Sequence, residues 1–197
     1  FMWSTEIFDG QQVLEGRPGW IHVTPALKEL PDFNLDADWL NADHLVALWG
    51  TPDKVTIREG REGLLRMREL SYFGNPSETN QGQIDDGEYF KDVNQVSIFC
   101  IDNRVNSILA GCDSKGVSHF PRSRFMFGVI PLFPDLQSLY LALGEAPGIN
   151  GNLESYFRLQ WNFVMGKPPD RVVMVVTAGG FNRAVRDIFI RLAYEVK

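Results

Sequence analysis

The stretch from residue 40 to residue 52 constrains the fold most, because it encodes a short helix with a signal at each end. Asn41 can accept hydrogen bonds from the first free amide groups, and Asp43 places negative charge in the positive first turn. Gly50 permits the left-handed conformation that closes a helix, and Pro52 prevents the helix from resuming. Because a helix this short is marginal in isolation, we expect it to pack on a sheet.

Strand patterns follow this helix and are typical of an antiparallel meander. Three strands are expected at 64–73, 94–101 and 105–109, and residues 54–57 are expected to be extended. Asp102-Asn103-Arg104 provides a tight turn between the second and third strands. The pattern therefore predicts an α+β fold, in which a short helix packs on an antiparallel three-strand meander.

The second half of the chain repeats this order in weaker form. Its predicted elements are a helix at 135–143, strands at 156–165 and 171–177, and a turn at 178–180. Gly144 and Pro147 stop the helix, as in the first half. The tail at 181–197 fits a period of two and a helical period equally well, so a strand and a helix both remain open. We favour a strand, because it would complete a tandem copy of the first unit.

These patterns divide the chain into four segments. They are an aromatic-rich N-terminal arm at 1–39, a first helix-plus-meander unit at 40–112, a linker at 113–134, and a second, divergent α+β unit at 135–197. Within the first unit, the polar stretch 74–92 is longer than the usual hairpin connection. This length indicates a mobile or a functional loop.

One segment of the linker, residues 120–128, interleaves cations with aromatic rings. As an exposed anchor, it would bind a partner through Phe120, Arg122, Arg124, Phe125 and Phe127. As a plain strand, it would turn its arginines to solvent and bury its aromatic rings. Both interpretations remain open from the sequence, and we take these five residues as the candidate partner-binding site.

The charge and composition exclude several classes of function. The formal net charge is −6 and the pI is near 5.1, whereas a nucleic-acid surface needs an excess of Lys and Arg. No apolar run approaches the ~20 residues needed to cross a bilayer. We therefore expect a protein partner, with no nucleic acid and no transmembrane segment.

The sequence contains none of the common catalytic, cofactor or metal motifs. A Gly-rich phosphate loop, a Gly-x-Ser-x-Gly elbow and a His-Glu-x-x-His pair are all missing. His22, His44 and His119 are isolated from one another. Cys100 and Cys112 lack metal-ligand spacing, and either a buried thiol or one disulfide remains open. We therefore predict no catalytic, cofactor-binding or metal-binding residues, and a protein that is not an enzyme.

Several short motifs together resemble the BamE-like (SmpA/OmlA) fold of small outer-membrane lipoproteins, which the tandem-domain β-lactamase inhibitor proteins share. In the first half the resemblance lies in 45–52, 64–73, 96–101 and 103–105. In the second half it lies in 139–147, 161–163, 172–177 and 180–181. The resemblance implies a helix-plus-meander fold, present here in two tandem copies. It also implies a non-enzymatic assembly accessory or proteinaceous inhibitor without catalytic residues.

From this resemblance we expect a bacterial envelope protein that binds another protein or assists an assembly. We expect it in the periplasm, anchored at the outer membrane by a lipid on a cysteine that would precede Phe1. A cytoplasmic location stays open until the unprocessed N-terminus is known. Two other functions also remain open: an inhibitor of a secreted or periplasmic enzyme, and a small-ligand-binding protein with a cleft between the two units.

Overall fold

One eight-stranded antiparallel sheet dominates the computed structural model, which describes residues 27–59, 66–74, 95–111, 124–146, 148–167 and 170–194. Its strands are β1 (Lys54–Glu59), β2 (Arg66–Phe73), β3 (Gln95–Ile101), β4 (Arg104–Gly111), β7 (Gly148–Gly151), β8 (Tyr156–Met165), β9 (Val172–Phe181) and β10 (Ala184–Tyr194). A separate two-stranded hairpin consists of β5 (Met126–Phe127) and β6 (Ile130–Pro131). The helices are α1 (Ala42–Trp49) and α2 (Leu136–Leu143), with short 3-10 turns at Leu27–Glu29 and Ala37–Leu40.

The predicted α+β arrangement, a helix on a three-strand meander, is wrong. The described chain is mostly β, with two short helices, and its strands run in the order β1-β2-β3-β4-β10-β9-β8-β7. Each half contributes four strands rather than three, and the last strands of the two halves pair with each other, Ile108 opposite Ile190. Two separate units would each leave an apolar last strand as an unpaired edge, and the pairing of β4 with β10 removes both edges. The division into an arm, two units and a linker stays a prediction.

The predicted first helix is confirmed, together with both of its end signals. The Asn41 side chain accepts a hydrogen bond from the Asp43 amide at 2.8 Å, and the Gly50 amide donates to the Val46 carbonyl at 2.8 Å. Gly50 has a φ of +89°, which a residue with a Cβ rarely adopts. The helix ends where the sequence indicates because this conformation turns the chain away from the helix axis.

An aromatic side chain anchors the C-terminal glycine of each helix to the sheet. Tyr72 on β2 donates from its hydroxyl to the Gly50 carbonyl at 2.9 Å, and Trp161 on β8 donates from Nε1 to the Gly144 carbonyl at 3.0 Å. Burial raises the pKa of Tyr72 to about 12, so its hydroxyl stays protonated and able to donate at neutral pH. These hydrogen bonds satisfy carbonyl groups that a helix end leaves without intrahelical partners.

The two long hairpins share one design. Asp102 and Asn103 join β3 to β4, and Asn182 and Arg183 join β9 to β10, all with φ between 47° and 65°. Two successive residues with positive φ make the turn whose twist matches that of the strands it connects. In each hairpin, the third residue of the return strand forms a β-bulge. The tail therefore forms a strand that completes a hairpin, which confirms the alternative that we favoured because the order of elements repeats the first half.

The core lies between one face of the sheet and the two helices. Its members are buried apolar residues of both halves, among them Leu45, Trp49, Tyr72, Ile98, Ile108, Leu139, Trp161, Met174 and Ile190. Cys100 is buried here as a free thiol, which confirms the buried-thiol interpretation, and burial raises its pKa. Cys112 lies outside the described residues. So do nearly all of the polar stretch 74–92 and most of the N-terminal arm.

Candidate functional site

Neither α1 nor α2, the α-helices of the described residues, lies on the opposite face of the sheet, which we call the helix-free face. Because side chains alternate along a strand, the residues between the core positions of each strand point to this face. One row of neighbouring residues on this face runs across the sheet from β2 to β8, and it includes Ser71, Ser97, Leu109, Thr177 and Gln160. It is therefore a mixed surface of small polar, charged and aromatic side chains.

Part of the helix-free face is covered by the segment that precedes α1. The main chain of Pro31 and Phe33 bonds to Val164 of β8, and Leu30 packs on Val164, Val173 and Val175. This contact explains why these valines are buried although they do not face the helices. The strand ends near Val164 are thus part of the packed interior.

A hydrogen-bonded group of polar side chains occupies the helix-free face of β2 and β3. The hydroxyls of Ser71 and Ser97 lie 3.3 Å apart, and Gln95 donates to the Ser97 hydroxyl at 2.5 Å. Glu69 accepts hydrogen bonds from both serines at 3.4 Å. Both serines are buried and have partners, so the group is a structural network that fixes the register of the two strands.

A buried ion pair crosses the helix-free face from β8 to β10. Nη1 of Arg158 lies 3.0 Å from Oδ1 of Asp187, and the two side chains are 9% and 14% exposed. Gly179 of β9 lies between them, and a Cβ there would lie 2.6 Å and 2.7 Å from the carboxylate oxygens and 3.0 Å from Nη1. The predicted turn at 178–180 is wrong, because β9 continues to Phe181 and Gly179 instead allows the ion pair to cross the strand.

The protonation of Asp187 is governed by this burial. Desolvation raises the pKa of its carboxyl, while the Arg158 guanidinium and a hydrogen bond from the Gly179 main chain act in the opposite direction. The carboxylate is therefore tolerated in the sheet only because Arg158 is present.

Two exposed aromatic rings and a half-buried arginine lie around this ion pair, and we call Tyr156, Arg158, Phe181, Arg186 and Asp187 the aromatic–arginine cluster. Tyr156 and Phe181 are paired on neighbouring strands and are 55% and 49% exposed. The Arg158 guanidinium lies 5.8 Å from the Tyr156 ring centre, and its Nε donates to the tyrosine hydroxyl at 2.8 Å. Arg186, the bulge residue of β10, lies 5.5 Å from the Phe181 ring centre. Two exposed rings are thus held in place by stacked cations.

The structure describes three of the five residues of the candidate partner-binding site, and it gives them different environments. Phe125 and Phe127 are fully buried in the core, which confirms that these two aromatic rings turn inward. Arg124 is exposed, and its Nε donates to the Trp49 carbonyl at 2.7 Å, where it supports the C-terminus of α1. Phe120 and Arg122 lie outside the described residues. Partner binding by this segment stays a prediction, but Phe125 and Phe127 are not accessible in this conformation.

Sequence reasoning did not find the aromatic–arginine cluster. Its residues span 156–187 in the chain and come together only when β8, β9 and β10 pair. The available signal was the pair Gly179-Gly180 inside an apolar run. Two consecutive glycines can indicate a turn, but they can equally indicate a strand that neighbouring side chains approach closely.

The described residues offer no metal site and no membrane span. Within the described ranges, no group of three or more His, Cys, Asp or Glu side chains could hold a metal ion. Neither α1 nor α2 has the length and apolar character that a bilayer crossing requires. The candidate site among the described residues is therefore the surface formed by the aromatic–arginine cluster on the helix-free face.

No protein-family model, no curated protein and no solved structure matches this chain. The family resemblance of the sequence motifs therefore stays a prediction. The function has to be argued from the helix-free face and its aromatic–arginine cluster.

Proposed function

We propose that this chain is a non-enzymatic protein-binding module that contacts another protein through the helix-free face of its sheet. The observation that carries this proposal is the exposure of Tyr156 and Phe181 side by side, each with an arginine stacked on it. Tyrosine and arginine are among the residues that contribute most to binding free energy in protein interfaces.

The cluster is also preorganised, which favours binding. The rings project from paired strands of a sheet, and hydrogen bonding and ion pairing hold Arg158 against both Tyr156 and Asp187. A side chain that is already ordered loses little conformational entropy when a partner covers it. Isolated exposed apolar residues elsewhere, such as Leu141 of α2 at 81% exposure, are ordinary for a protein surface.

Capture from an extract of the cells that express this chain tests the proposal. We expect wild-type protein to retain a specific partner, and the variant Tyr156→Ala/Phe181→Ala to lose at least 30-fold in affinity, the loss of about 2 kcal/mol typical of anchor residues. Leu141→Ala removes an exposed apolar side chain on the helix side and serves as the matched control. Capture that is equally strong with the double variant, once circular dichroism shows it to be folded, would refute the proposed surface.

A second candidate function is inhibition of a secreted or periplasmic enzyme by the same face. One observation favours it: the tail is the strand β10, and it joins the strands of both halves into one continuous sheet. Such an inhibitor grips its enzyme with a sheet and adjoining loops, without catalytic residues of its own. Progress curves of secreted hydrolases, β-lactamases included, with the protein in excess would test this function. Unchanged rates across the panel would count against it.

An envelope location is part of the proposal and rests on the resemblance of the short motifs. Fractionation of the source cells would test it, since a periplasmic or outer-membrane protein is released by osmotic shock or sediments with membranes. Recovery in the cytosol alone would contradict it.

A further inference from the structure

Three arginines lie in or beside the aromatic–arginine cluster, and two of them form an ion pair with a carboxylate. Arg158 is paired with Asp187, and Arg183 of the adjoining turn is paired with Glu154 through Nε at 2.6 Å. Arg186 makes no ion pair with any residue of the described ranges, and its Nε is buried there without an acceptor. Among the described residues, the cluster therefore carries one positive charge that no carboxylate compensates.

The contact between Arg186 and Phe181 leaves that charge available. A guanidinium that lies over a ring uses its flat face, while its N–H groups point outward in the plane. The two terminal nitrogens, unlike Nε, are not buried, and one N–H group on each matches the two oxygens of a carboxylate.

We propose that Arg186 receives an Asp or Glu side chain of the partner protein, bound end-on to its two terminal nitrogens, with the Phe181 ring against the guanidinium and Tyr156 beside that ring. This inference rests on the proposed function and specifies the chemistry of the partner. The flanking rings would exclude water from the ion pair, and exclusion of water strengthens it. The partner therefore presents an acidic side chain on a loop or turn that is otherwise apolar or neutral.

A phosphate backbone is the less suitable anion. Nucleic-acid binding neutralises several phosphates with several cations, whereas here one arginine is uncompensated on a chain of formal net charge −6. A single carboxylate flanked by apolar groups matches one cation flanked by two rings. A single-stranded oligonucleotide provides the corresponding test of the alternative.

Selection of disulfide-constrained peptides displayed on phage, with the folded wild-type chain as the target, tests the inference. We expect an Asp or Glu at a fixed position in the enriched peptides. In fluorescence polarisation we expect Arg186→Gln to weaken them at least tenfold. Arg183→Gln, a neighbouring arginine that already has a partner, should change their affinity less than twofold. Arg186→Lys should fall between the wild type and Arg186→Gln, because lysine keeps the charge but loses the two-pronged geometry.

Each remaining outcome is decisive. Enriched peptides without an acidic position, peptides that bind Arg186→Gln as well as wild type, or tighter binding of a single-stranded oligonucleotide would each overturn the inference. If such peptides still lose affinity with Tyr156→Ala/Phe181→Ala, the binding surface survives and only its carboxylate chemistry is wrong. If neither peptides nor a cellular partner depend on those two rings, the proposed function fails as well.

Discussion

Replacement of Arg158 by methionine would leave the Asp187 carboxylate buried in the sheet without its cation. Methionine keeps an unbranched, flexible stem in place of the arginine stem, so the change removes charge and hydrogen bonding more than packing. The two charges are 3.0 Å apart and almost fully buried. Their mutual attraction is about 5 kcal/mol at an effective dielectric constant of about 20. Most of this attraction offsets the cost of desolvating the two groups, so the pair itself contributes little net stability.

Removal of one partner is different, because it leaves the desolvation cost uncompensated. We expect Arg158→Met to lower the free energy of unfolding by about 3 kcal/mol at pH 7. We expect the double variant Arg158→Met/Asp187→Leu to recover at least about 2 kcal/mol of that loss, because it removes the second charge as well. The matched control is Arg183→Met, whose ion pair with Glu154 is exposed, and we expect it to cost less than about 1 kcal/mol.

The assay is urea-induced unfolding followed by tryptophan fluorescence, at pH 7 and at pH 5. In the Arg158→Met variant the pKa of Asp187 should rise further, because the guanidinium that opposes the effect of burial is gone. A group whose pKa is raised on folding adds stability as the pH falls through that pKa, so the deficit of this variant should shrink at pH 5. The reasoning would be refuted if Arg158→Met lay within 1 kcal/mol of wild type, or if adding Asp187→Leu destabilised it further.

Three further changes test other parts of the fold. Gly179→Ala should lower the free energy of unfolding in urea by about 2 kcal/mol, because its Cβ would displace the ion pair. The control is Gly144→Ala, where a Cβ meets nothing within 4 Å and only the positive φ is strained. A smaller loss for Gly179→Ala than for Gly144→Ala would contradict this account. Trp161→Phe removes the donor to the Gly144 carbonyl and should cost about 1 kcal/mol beyond the loss of ring area. An unchanged amide exchange rate at the C-terminus of α2 would show that this hydrogen bond is not formed. The Cys100 thiol should react with a disulfide reagent at pH 8 at least a hundredfold more slowly in the native protein than in urea. The reason is that burial raises the pKa of this thiol and restricts access to it. Equal rates would show that the thiol is exposed.

The elements that could be predicted from the sequence are those whose causes are local. The N-cap of α1, its C-terminal Gly50 and the turn at Asp102-Asn103 act through hydrogen bonds and φ values within a few residues. Each of these three features occupies its predicted position. Local chemistry of this kind can be read without knowledge of what lies on the far side of the sheet.

The tail could not be assigned from its own residues, since its apolar positions fit both a strand and a helix. Pairing of β10 between β4 and β9 decided the matter, because a strand there satisfies the main chain of both neighbours. The same pairing decided the fold class, since it merges two expected meanders into one sheet. It also decided that Gly179 lies inside a strand rather than in a turn.

The sequence by itself determined the ends of α1 and α2, the turn at Asp102-Asn103 and the absence of recognisable catalytic motifs. Only the tertiary structure decided which aromatic residues are accessible: Phe125 and Phe127 are buried by the core, whereas Tyr156 and Phe181 are exposed beside stacked arginines. The physical reason is that exposure and charge compensation depend on strand register. Register is set by contacts between residues far apart in the chain, and no local pattern records which strands will be neighbours.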